Sequence, residues 1–286
     1  MAASSGLDDQ MAVSGDAESL EEVRLYSVTN LNKLALGAGE GLMTWIANTC
    51  SDFAVNNHDA IGALLAAGEK EAARNLIRDS RWRKTDQAAE RGTLVHAVAE
   101  AMALGVEPKL YDHLQPWVDQ WELFLADFKP KFLMAEAPVY NVKHRYAGTL
   151  DIIAELDGLD YPVMIDVKTT EKKPEENRPP YEETSLQIVA YARAEMVGVS
   201  PMAQRTYGGR RYYIFNSDTK TVPMPKVGAA FVLVISPYDY QLVPCRIEND
   251  VWHVFLNVID IARWRTDLAK RTFGPAITPP KKEEAA

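Results

Sequence analysis

Residues 146–170, YAGTLDIIAELDGLDYPVMIDVKTT, decide the fold. Two runs rich in Leu, Ile, Val and Ala, 147–156 and 162–170, flank a turn signal at Asp157 and Gly158 and read as adjacent strands. Three charges interrupt them: Asp151, Asp166 and Lys168. Charge is costly in a core unless it is paired or bound to a metal. Side chains alternate faces along a strand, so Met164, Asp166 and Lys168 share one face while Ile165 and Val167 take the other. Pairing of the two strands lets Asp151 and Asp166 converge. Carboxylates that close repel each other unless a hard cation such as Mg2+ or Mn2+ lies between them. Lys168 then faces whatever the cation holds, an arrangement suited to phosphodiester hydrolysis. The plain alternative is a solvated sheet face on which Asp166 and Lys168 are simply exposed.

Working outward, residues 27–84 read as helical, with one break at LGAGEG, 36–41. A second helix is expected over 86–104, with Asp86 as its N-cap, and a third over 110–128. A strand at 132–142 precedes the central pair. The polar, proline-rich 171–184 reads as a loop beside the catalytic strand, followed by a helix at 185–198. Strands at 210–216, 229–237 and 241–247 and an amphipathic helix at 249–270 complete the pattern. Trp252, Phe255 and Ile259 on that last helix read as core. The fold class is α/β, a central mixed sheet flanked by helices with N-terminal helical additions. The expected organisation is a disordered acidic tail at 1–22, one domain at 23–270 (helical part 23–130, catalytic core 86–270) and a frayed end at 271–286.

GTLD (148–151), DVK (166–168) and QIVAY (187–191) occur in that order, preceded by Gly92 and His96 in RGTLVHAVAE (91–100). This ordered set resembles the RecB-like branch of the PD-(D/E)XK nuclease superfamily: Gly-x-x-x-His, Gly-x-x-Asp, Asp/Glu-x-Lys and Gln-x-x-x-Tyr. The match covers about residues 91–191 and is similar to phage-encoded exonucleases and CRISPR-associated adaptation nucleases. It implies a restriction-endonuclease-like core. It also implies that His96, Asp151, Asp166 and the backbone carbonyl of Val167 bind Mg2+ or Mn2+, that Lys168 is the catalytic lysine, and that Gln187 and Tyr191 orient the lysine, the water or a phosphate. Helical i,i+4 spacing puts Gln187 and Tyr191 on one side, although both could equally be structural. By its apolar surroundings alone, His96 reads as a packed core histidine. Its nitrogen donor suits Mn2+ better than Mg2+. Glu100 and Glu136 could assist from outside this set or help a second metal, but each reads first as an ordinary polar position. Some members of the branch carry an iron–sulfur cluster on four cysteines. Cys50 and Cys245 are this chain's whole complement, so no such cluster is expected.

The chain has 286 residues, 47% of them hydrophobic and 25% charged, as in ordinary globular proteins. No apolar run is long enough for a membrane span, and no basic-then-apolar leader opens the sequence. With two cysteines, a reducing cytoplasm, bacterial or phage-infected, fits best. The net charge of −9 does not argue against DNA, because six of those negatives lie in residues 1–22. Two basic, aromatic stretches are candidate DNA contacts: Arg78, Arg81, Trp82, Arg83 and Lys84, and Arg205, Tyr207, Arg210, Arg211 and Tyr212. The leading expectation is a metal-dependent DNA exonuclease of recombination, repair or phage replication. DNA is its partner, and a single-strand annealing or recombination protein is a further candidate. Two other readings stand beside it: a non-catalytic nucleic-acid-binding subunit that keeps the fold, and a metal-dependent hydrolase of a non-nucleic substrate.

Overall fold

A computed structural model describes residues 22–37, 40–176 and 179–277. Most of the acidic segment 1–22 and the end of the C-terminal tail lie outside them. Among the described residues the chain is α/β, with a ten-stranded mixed sheet and helices on both faces. The long path through the sheet runs β10 (Tyr240–Cys245), β9 (Ala229–Ile235), β4 (Val163–Thr169), β3 (Tyr146–Glu155), β1 (Val23–Ser27), β7 (Arg210–Phe215) and β6 (Gln204–Tyr207). β2 (Lys131–Asn141) lies against the other edge of β3. It leads to β5 (Met196–Gly198) and then β8 (Thr221–Pro223). β1 with β3 and β4 with β9 are parallel; the remaining pairs are antiparallel.

Strand parity sorts the core into two layers. Ile152, Ala154, Val163, Ile165, Val167, Leu233 and Ile235 pack with Val95, Val98, Trp117, Trp121 and Phe124. These come from α4 (Lys70–Ala103) and α5 (Gln115–Phe128). On the opposite face, Ile153, Met164, Val232 and Val234 pack under α1 (Val28–Leu36), α6 (Glu182–Ala192) and α7 (Asn249–Arg263). α7 presents Phe255, Val258, Ile259 and Ala262, the i, i+3, i+4, i+7 stripe of an amphipathic helix. Leu150 and Ile153, an odd number of residues apart, both join this layer. The parity of β3 therefore slips at the intervening segment, which contains Asp151.

The elements differ from the sequence reading where short strands and long helices are concerned. The stretch 27–84 is preceded by β1 and divides into α1, α2 (Glu40–Asn56), α3 (His58–Ala66) and the start of α4. Asp86 caps nothing: α4 runs unbroken for 34 residues, about 50 Å. No glycine or proline occurs between Lys70 and Arg91 to stop it. α6 starts three residues earlier than expected, with Glu182 and Glu183 in its first turn, where acids complement the helix dipole. It stops at Ala192 because Met196 and Val197 are taken by Tyr140 and Val139 of β2. Past α7 the chain stays helical through a π turn (Trp264–Leu268) and a 3-10 turn (Ala269–Arg271).

Candidate metal and active site

β2 occupies one edge of β3 from end to end, so β4 and β1 must share the other. β4 pairs with it through Ile152↔Ile165, Ile153↔Met164 and Ala154↔Val163, and β1 through Tyr26↔Tyr146 and Ser27↔Ala147. Between these stretches, residues 148–151 have no strand partner on that side, and the site forms in this opening. The β3–β4 register carried one step further sets Asp151 directly opposite Asp166. Facing residues of an antiparallel pair have neighbouring side chains, and the charge of Asp166 is felt at Asp151. Asp166 does not belong to the group of donor atoms that converge most tightly, which are those of His96, Glu136 and Asp151. The ladder is broken there by Asp151 itself, whose Oδ2 accepts a hydrogen bond from the Val167 N–H at 2.7 Å. β4 meanwhile remains fully paired to β9 along 163–169, which keeps Asp166 and Lys168 on a rigid strand.

Asp166 is only 2% exposed, and neither of its oxygens accepts a directed hydrogen bond. Its contact is ionic, with Lys168 Nζ 2.5 Å from Oδ2. Lys168 keeps 35% of its side chain exposed, so its head can meet a ligand. Burial alone would lower its pKa, but the charges of Asp166 and Asp151 outweigh that and raise it, so the ammonium stays charged. Asp151 shows the reverse balance. Burial first, and then the charge of Asp166, push its carboxyl up to about 7 despite His96, Lys168 and the Val167 N–H.

His96 projects from α4 toward the same point. Its Nε2 lies 2.9 Å from the Val167 carbonyl oxygen, and its Nδ1 lies 3.4 Å from Glu136 Oε1 and 3.7 Å from Asp151 Oδ2. Burial would lower its pKa, yet the Glu136 bond and the Asp151 charge raise it. From α6, Gln187 Nε2 donates to the Tyr191 hydroxyl at 3.2 Å. Tyr191 is buried, and desolvation first, then Asp151 and Asp166, push its phenol pKa upward. Gly148 is what admits it. A Cβ there would sit 2.5 Å from Tyr191 Cε1, so the glycine of GTLD is required by packing. Gly92 is not: a Cβ would meet Thr169 Oγ1 at an ordinary 3.6 Å.

His96, Asp151, Asp166, Val167, Lys168, Gln187 and Tyr191 are thus brought together, and the candidate DNA contacts are not. Arg81, Trp82 and Arg83 lie on α4 about 20 Å along the axis before His96. Arg81 stacks on Trp82, and Arg83 lies over Phe53. Lys84 is in the same helix, but its side chain lies outside the described residues. Arg210 and Arg211 start β7 beside the edge strand β6. Arg210 donates to the Thr266 carbonyl, while Arg211 is exposed. Glu22, counted with the acidic tail, accepts hydrogen bonds from Arg205 and Tyr207.

Sequence reasoning gave no role to the strap at the end of β4. The Trp117 indole N–H donates to the Thr170 carbonyl at 3.0 Å, and the Arg91 guanidinium lies over Trp117 and pairs with Glu171 at 2.5 Å. It also favoured an ordinary polar position for Glu136. One donor atom each from His96, Glu136 and Asp151 lie within 4.8 Å of one another. Only strand parity hinted at this, since the register that runs unshifted from Asn141↔Tyr146 to Met134↔Ile153 places Glu136 across from Asp151.

The donor set suits a small divalent cation. Carboxylate and carbonyl oxygens match Mg2+ or Mn2+, and an imidazole nitrogen favours Mn2+. The buried Asp166 carboxylate, whose Oδ2 pairs with Lys168 while its Oδ1 has no hydrogen-bond partner, has capacity left for such an ion. A scan against protein-family models finds no match for the chain, and a search of curated proteins finds no significant relative.

Proposed function

We propose that this chain is a Mg2+- or Mn2+-dependent DNA nuclease with a restriction-endonuclease-like core of the PD-(D/E)XK type. We assign it exonucleolytic action in recombination, repair or phage replication. The observation that carries the proposal is the opposed Asp151–Asp166 pair at a broken ladder, with Lys168 two residues along the same strand face. Like charges facing each other across a sheet are destabilising, so their retention is explained by a ligand that needs them.

A bound divalent cation polarises a phosphodiester and lowers the pKa of water. In this chain Asp151, Asp166, His96 and the Val167 carbonyl would hold it. Lys168, charged and partly exposed, is placed to contact a phosphate oxygen or to orient the attacking water. The hydrogen-bonded Gln187–Tyr191 pair would help orient Lys168, the attacking water or a phosphate. The thiols of Cys50 and Cys245 are free, which supports a reducing, cytoplasmic setting. No described helix is long and apolar enough to cross a membrane.

The test is incubation of the purified chain with end-labelled linear and closed circular DNA, with Mn2+, Mg2+ or EDTA. Cation-dependent loss of linear DNA that Asp166→Ala abolishes supports the proposal. Equal activity in Asp166→Ala removes the site assignment, and DNA binding without cleavage of any substrate favours a non-catalytic subunit. Turnover of small phosphoesters with none of DNA favours a different hydrolase.

A further inference from the structure

Glu136 stands outside the motif set but against the centre of the site. The flanking β2–β3 pairs, Ala135↔Ile152 and Ala137↔Leu150, leave it opposite Asp151. Its φ of 45° is left-handed, a region that a residue with a Cβ rarely occupies. Its carboxylate reaches His96 Nδ1, and donor atoms of His96, Glu136 and Asp151 converge within 4.8 Å. A small recess of about 10 Å3 lies among them, enough for one atom-sized guest. Beside them the 2%-exposed Asp166 stands next to Asp151, its Oδ2 paired with Lys168 and its Oδ1 without a hydrogen-bond partner. The cluster therefore borders a buried carboxylate with one oxygen still unpartnered.

We propose that Glu136 is a direct ligand of the divalent cation, alongside His96 and Asp151, so that the ion is gripped from β2 as well as from β3, β4 and α4. This rests on the proposed cation site and not on the identity of the substrate. The contrasting role is that of a positioning residue, which only holds the imidazole through the Nδ1 contact. Charge separates the two roles. Glutamine keeps the size and an acceptor oxygen for His96 but removes the negative charge that attracts a cation. The backbone separates function from stability, because glycine adopts φ 45° freely.

The experiment is calorimetric titration of the full chain with MnCl2, without DNA, for wild type, Glu136→Gln and Glu136→Gly, with Tm measured in cation-free buffer. The expected result is Mn2+ affinity reduced about tenfold or more in Glu136→Gln, which keeps an acceptor for His96, as well as in Glu136→Gly, while Glu136→Gly melts at or above the wild-type temperature. Glu136→Gln binding Mn2+ within threefold of wild type, or wild type binding none, overturns the proposal. Glu136-dependent binding by a chain that leaves every DNA intact refutes the nuclease and keeps the ligand. Normal cleavage with unchanged Mn2+ binding in Glu136→Gln does the opposite.

Discussion

Where β3 and β4 lie side by side, at residues 152–154 and 163–165, the facing pairs are apolar, buried and hydrogen-bonded in regular register. One step further the facing pair is Asp151 and Asp166, and the next backbone N–H is taken by a carboxylate instead of a strand. The same two strands thus serve two purposes within a few residues. The paired end lowers the free energy of the fold by burying aliphatic surface. The open end raises it by keeping acids close together in a dry place. Substitutions at the paired end should cost stability, and those at the open end should cost chemistry.

The largest effect expected is at the open end. Asp166→Ala should lower DNA cleavage on the order of a thousandfold while the far-UV spectrum and cooperative melting are kept; loss of folding instead would erase the contrast. At the paired end, Ile165→Ala should cost about 2–5 kcal/mol in urea unfolding, with turnover per folded molecule preserved. Gly148→Ala tests the boundary. Its methyl group must displace the Tyr191 ring, so a loss of about 1–3 kcal/mol is expected, partly recovered in Gly148→Ala/Tyr191→Leu.

A pH series sharpens the comparison further. Asp151 binds its proton more tightly folded than unfolded, so its contribution to stability is complete below about pH 4. It is lost as the pH rises through about 7. In cation-free buffer the wild-type Tm should fall across that window, and Asp151→Asn should flatten the fall. A slope unchanged in Asp151→Asn would place the proton elsewhere. The smallest effect is at Trp117→Phe, which removes the bond to the Thr170 carbonyl and should cost about 1 kcal/mol by denaturant titration.

Much of this contrast was legible in the sequence. Hydrophobic parity gave the central strands to within a residue or two, and it placed Ile165 and Val167 on the face away from Met164. His96 and Asp151 meet at the backbone of Val167, and Asp166 and Lys168 pair on the same strand on either side of it. Other features depend on partners that no local window contains. β5 and β8 are three residues each and exist because β2 and its neighbours offer an edge. The unbroken α4 defied an N-cap signal at Asp86, since a capping residue starts a helix only where the preceding chain departs from one. The slip between Leu150 and Ile153 and the left-handed Glu136 are backbone events, and side-chain identity does not announce them.

Val167 joins both ends. Its isopropyl group is buried with Ile165 and Leu233, while its amide meets Asp151 and its carbonyl meets His96. A saturation library at this codon should therefore enrich for aliphatic bulk and nothing else, because every residue but one brings the same main chain. Proline is the exception: it would fill the space yet present no hydrogen to the aspartate, so an apolar substitution would act as a backbone lesion.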